Sequence, residues 1–179
     1  MSDLYDQIVS QRGGFERLLN RIPGFRGYLD KGTRRTADRM LRDHIADQLT
    51  QRINRLASLE RRLLDTGGLR YMSKTQSAKT KLQTYRDRVK AAAPGYSGFM
   101  DAIKVDAEAL ERIYAFDEAQ VRYADRFDDT LNLLEDAINK NEGVEDAIRV
   151  LDALTVEANE AFSLREDVLT DISKSLSAE

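Results

Sequence analysis

The sequence predicts an all-α fold, either a bundle or an antiparallel coiled coil, built from two long helical hairpins plus an N-terminal amphipathic helix. Three observations carry this expectation. Apolar residues recur at three- and four-residue steps over long windows, the 179-residue chain is one-third charged with only two prolines, and no segment alternates with the two-residue period of a half-buried strand. A chain of this length buries roughly 70% of its unfolded surface. A single helical domain over 1–179 is therefore expected, divided into a lead helix (1–22), a basic hairpin (23–93) and an acidic hairpin (94–179).

The lead helix is read from Leu4, Ile8, Phe15, Leu18, Leu19 and Ile22, which share one helical face behind Ser2 as N-cap. Gly13-Gly14 is a weak point inside it, and Pro23 ends it. The second helix should span about 33–64, because Ala37, Leu41, Ile45, Leu49, Ile53, Leu56 and Leu63 form one stripe before Asp65-Thr66-Gly67-Gly68. Its length would be about 48 Å at 1.5 Å per residue. Ala78, Leu82, Tyr85, Val89 and Ala92 then step by four and three, the spacing of a coiled-coil seam, and predict a third helix over about 73–92.

Pro94 closes that helix, and Asp106 can cap a fourth carrying Leu110, Tyr114, Val121, Ala124, Phe127, Leu131, Leu134 and Ile138 up to Gly143. The fifth, about 144–172, repeats the seam through Ile148, Leu151, Ala158, Phe162, Leu169 and Ile172. The last residues, SKSLSAE, read as a frayed polar tail.

Both prolines open the same local pattern, PGFRGYLD from Pro23 and PGYSGFMD from Pro94, and each precedes a long helix, a turn and another helix. The pattern predicts an internal repeat of two hairpin units, against the simpler reading of convergent Pro-Gly turn chemistry. Proline stops the incoming helix, glycines permit backbone angles that other residues avoid, and Phe25, Tyr28, Tyr96 and Phe99 can fold back over the bundle end or present a contact surface.

Net charge is −3, but it is unevenly distributed. Residues 1–93 carry 20 Lys and Arg against 10 Asp and Glu, whereas 94–179 carry 8 against 21. Oppositely charged hairpins attract one another, so the two halves are expected to touch, either within one chain or between chains, with apolar seams stabilising the fold and charge selecting which helix faces which. Arg34, Arg35, Arg39, Arg42, Lys79 and Arg86 form a candidate basic face that could track phosphates. The acidic half opposes such binding.

With no cysteine there is no thiolate nucleophile and no thiolate metal site, and a reducing, cytoplasmic setting is expected. No window approaches the ~20 apolar residues that span a bilayer, and the first residues lack a secretory core. His44, the single histidine, has no serine or acid spaced to make a catalytic pair, and it cannot supply the paired Glu-x-x-His motifs of a di-iron bundle. Glu118, Asp125 and Asp129 are close in helical register, which raises a looser divalent-cation site against the simpler reading of a solvated acidic face. No phosphate-cradling loop is present.

The segments IPGFRGY and YSGFMDAIK, with the DEA and YADRF helix that follows, resemble a group of bacterial all-helical proteins over most of residues 22–170. The resemblance implies a fold and no activity. The layout of amphipathic lead helix, basic hairpin and acidic second half also resembles the phage-shock and ESCRT-III membrane-remodelling proteins, which implies contact with a membrane surface.

The functional expectation is a non-enzymatic scaffold or adaptor without cofactors that binds a protein partner or itself as a homo-oligomer. A peripheral membrane protein using the lead helix, and a nucleic-acid binder using the basic hairpin, are the alternatives.

Overall fold

The computed structural model describes residues 3–27, 34–92 and 107–178, and the described residues contain helices and no strand. The helices are α1 (Asp3–Val9), α2 (Gly14–Arg21), α3 (Arg34–Asp65), α4 (Met72–Ala91), α5 (Ala107–Lys140) and α6 (Val144–Ser177). The four long elements follow the apolar stripes closely. α6 runs through Ser177 and so includes most of the tail expected to fray.

The long helices pack in four neighbouring pairs: α3 with α4, α5 with α6, α3 with α5 and α4 with α6. Their stripes fill one continuous core, in which Leu49, Leu56, Leu82, Phe127, Leu134 and Leu151 are wholly buried. Tyr85 of α4 sits at its centre, with ring centroids 6.2 Å from Phe127 and 6.3 Å from Phe162. Fully burying side chains of this size contributes ~1.5–3 kcal/mol each, which makes this layer the main source of stability.

Short turns join the elements inside each sequential pair. After α3 the Gly68 N–H reaches the Leu63 carbonyl at 2.6 Å, closing the helix end. That closure requires Gly67 at φ 81°, in the left-handed region where a side chain would be strained. A 3-10 turn, Leu69–Tyr71, leads into α4. Between α5 and α6 the Glu142 N–H bonds back to Ala137, and Gly143 precedes the first turn of α6.

The expected lead helix is two short helices, broken where Gly13 takes φ 78°. Both lie chiefly on α5, burying Ile8 and Leu18, and Ile22 beyond α2 is buried as well. Tyr5 tilts against Phe116 and Phe15 against Tyr114, with centroids 5.7 Å and 5.0 Å apart. Gly14 allows the approach, because a Cβ there would stand 2.8 Å from the Tyr114 carbonyl group. Gly14→Ala is therefore expected to cost ~1–3 kcal/mol through overpacking. Urea denaturation measures the loss, and faster proteolytic cleavage near Gln11–Gly13 reports the loosened segment. An unchanged midpoint and cleavage rate would refute the close approach.

Candidate functional site: a buried charge cluster and the charged faces around it

Charged residues concentrate in two settings, and the first is buried. Asp38 and Arg42 lie one turn apart on α3, where their side chains reach each other along the helix. Asp117 comes from α5 and Arg165 from α6, and all four residues are at most 7% exposed. Arg165 donates from Nε to Asp117 at 2.6 Å and approaches Asp38 at 3.7 Å, while Arg42 pairs with the other Asp38 oxygen. Two cations and two anions balance, which is what permits charge at this depth. Burial nevertheless pushes the Asp38 carboxyl above its ordinary range, against the pull of Arg165 and Arg42.

Next to this cluster, Glu118 lies 3.5 Å from Arg17 of α2 and 3.7 Å from Arg122. The Tyr85 hydroxyl donates to Gln120, and burial raises the Tyr85 pKa well above its usual value. One NH2 group of Arg42 and the Gln120 amide nitrogen have no hydrogen-bond partner among the described residues. The arrangement joins α2, α3, α4, α5 and α6 near one end of the bundle. Its chemistry is that of a register lock, because sliding any one helix would strand a charge in a low-dielectric interior.

The second setting is the pair of seams where the basic and acidic halves meet. Along α4 and α6, Lys74 pairs with Glu145, Lys81 with Asp152 at 2.7 Å, and Arg88 with Asn159 and Glu166. Along α3 and α5, Arg55 reaches Asp128 and Glu135 at 2.8 and 2.7 Å, and Arg62 reaches Glu135 at 2.6 Å. Residue numbers rise together on both seams, so each pair of helices runs in the same direction, and the pairing residues recur at seven-residue steps. Cations of the first half thus meet acids of the second within one chain.

On the outer side of α5 and α6, Glu157 accepts from Arg126 at 2.6 Å and from the Tyr123 hydroxyl at 2.8 Å. These hydrogen bonds hold Glu157 below the usual Glu range, with the Arg126 bond the larger effect. Tyr123 moves upward, first because it is desolvated and then because of Glu157.

The residues singled out from sequence are placed unevenly. Phe25 is buried in the core cluster, while Tyr28, Tyr96 and Phe99 lie outside the described residues. The basic face named from Arg34, Arg35, Arg39, Arg42, Lys79 and Arg86 is not one surface. Arg35 and Arg39 are exposed, Arg42 is inside the cluster, Lys79 pairs with Glu60, and Arg86 pairs with Asp87 at 2.8 Å. Arg34 begins α3, but its side chain lies outside the description. The helical geometry explains the scatter, since these positions are spread around two different helices.

Glu118, Asp125 and Asp129 do not form one site, because Glu118 is buried against Arg17 and Arg122 while Asp125, one turn from Asp129, takes Arg21. His44 is half-buried on α3. Among the described residues no group of three or more His, Asp or Glu is placed to hold a metal ion, and no helix is long and apolar enough to cross a membrane. Sequence reasoning missed Asp38, Asp117 and Arg165. A signal existed for Arg165, which occupies a seam position three after Phe162 and four before Leu169. Comparison of the chain with protein-family models, curated proteins and solved structures finds no match.

Arg165→Met removes the guanidinium that donates to Asp117 in the core, and a loss of ~3–5 kcal/mol is expected. The double variant Arg165→Met/Asp117→Leu should recover much of it, and chemical denaturation of all three chains gives the coupling. A second expectation concerns acid. Hydrogen bonds from Arg55 and Arg62 lower Glu135, and those from Lys74 and Arg126 lower Glu145 and Glu157, from an ordinary value of 4.5. Depressed carboxylates contribute fully above the unfolded value and lose that contribution as pH falls through the folded one. The urea midpoint should therefore drop on the acid side of about pH 4.5, less steeply in Glu135→Gln. Parallel pH profiles would rule out a part for Glu135.

Proposed function

We propose that the protein is a non-enzymatic helical scaffold or adaptor, cytoplasmic in setting, built as two antiparallel hairpins and working through protein contacts made by its outer helix faces. The observation that supports this most is how its charge is used. Of the basic residues on α4, Lys74, Lys81 and Arg88 face acidic or amide partners on α6, and Lys79 and Arg86 from the candidate basic face pair with Glu60 and Asp87. The apolar stripe of the lead segment faces α5 through Ile8 and Leu18, so the membrane reading has less support than the protein-contact reading. What the fold leaves to solvent is a set of long, stiff helix faces, and such faces suit the recognition of other helices.

The repeated Pro-Gly connectors and the paired succession of long helices favour an origin by duplication of one hairpin unit. On this reading the halves diverged in charge so that each completes the other.

The test is affinity capture of the full chain from the cells that make it, after nuclease and detergent treatment. A protein partner, or further copies of the chain, recovered in near-stoichiometric amount is the expected result. Retention of nucleic acid or lipid alone, or of nothing beyond an unrelated helical-bundle control, would overturn the proposal.

A further inference from the structure

We infer that the outer groove between α5 and α6 is a docking site for a basic amphipathic helix of a partner protein. This inference rests on the scaffold reading and names its surface. The groove has a volume of about 350 Å³ and is lined by Arg126, Asp129, Thr130, Val150, Ala153 and Leu154, with Glu157 at one end. Val150 is 46% exposed, and Leu133, one turn beyond Asp129 on α5, is 54% exposed. Aliphatic side chains left this open on paired helices form the kind of surface that an apolar helix face covers.

Charge identifies the occupant. Asp129 and Asp136 on α5, and Glu160 on α6, have no cationic partner within ion-pair distance among the described residues. They stand beside residues that already have one: Asp128 and Glu135 are one position from Asp129 and Asp136 and take Arg55 and Arg62. The protein thus covers one side of α5 with a helix that sets Arg against acids seven residues apart, and it covers α6 with Lys74 and Lys81 of α4 in the same manner. The outer face repeats that spacing of acids, and among the described residues no helix lies upon it. A third basic helix is the complementary partner, whereas a second copy would bring the same acidic rim against itself.

The probe is a fluorescein-labelled helical peptide about two heptads long, with Leu at the seam positions and Lys elsewhere. It is titrated with the full chain and followed by anisotropy. Saturable binding is expected, weakened at least about tenfold by Val150→Lys and by Asp129→Lys, and unchanged by Asp171→Lys, a charge reversal elsewhere on α6. Circular dichroism of each variant confirms that the fold is intact.

No saturable binding up to about 100 µM, or an equal loss with Asp171→Lys, would overturn the inference, the latter by showing mere charge attraction. Light scattering that reveals a dimer abolished by Val150→Lys would overturn it too, with a second copy as the occupant. If the partner captured from cells binds Val150→Lys and the native chain alike, the groove is wrong and the scaffold reading stands. If cells yield no partner while the peptide binds as expected, the groove stands and the scaffold reading fails.

Discussion

Two pairs of like-directed helices meet with cations on one side of each seam and anions or amides on the other, and the arrangement of the four long helices depends on that match. Apolar stripes alone cannot choose it. The stripes differ in width, narrow on α4 and broad on α5, but apolar burial is non-directional and does not by itself fix which helix each stripe faces or at what register. An exposed ion pair contributes at most about 1 kcal/mol. Several in register, set against the repulsion that a wrong pairing would create, add to the discrimination that apolar burial makes between arrangements. The seven-residue recurrence of Lys74 and Lys81 against Glu145 and Asp152 keeps the match continuous along the helices.

Near one end of the bundle the same problem is solved in a different dielectric. Asp38, Arg42, Asp117 and Arg165 are buried, so their mutual attraction is stronger, but so is the cost of leaving any of them alone. Such a cluster adds little net stability compared with apolar packing, and its effect is on register. The lead segment docks beside it, with Arg17 facing Glu118, Arg21 facing Asp125 and Arg122 facing Gln11. The lead segment, the core and the ion pairs from α3 therefore converge on α5, which touches α1, α2, α3 and α6.

This economy bears on function. Residues whose chemistry would ordinarily mark a binding site, arginines in rows and acids at helical spacing, are largely engaged with each other. One surface that remains open combines two features, half-exposed aliphatics and acids without a cationic partner among the described residues, on the outer side of the acidic helices. Acids at the same seven-residue spacing are covered by a basic helix on the inner seams, which connects the internal logic of the fold to what it can recognise outside.

How much of this was legible in advance follows from the range of each interaction. Helix boundaries and seams depend on residues three or four apart, so Leu41, Leu49, Leu56, Leu82, Leu131 and Leu151 were readable as core from spacing alone, and so was the contrast in charge between the halves. The break at Gly13-Gly14 was visible for the same local reason, although the docking it permits was not. Which acid each arginine meets, whether Arg42 points outward or inward, and how Arg165 comes to sit between Asp117 and Asp38 depend on the lateral order and axial register of helices distant in sequence. The sequence by itself determined the rods, their greasy faces and their opposite signs. Only the tertiary structure decided who stands beside whom, because that choice is a difference between long-range electrostatic and packing terms that no local spacing contains.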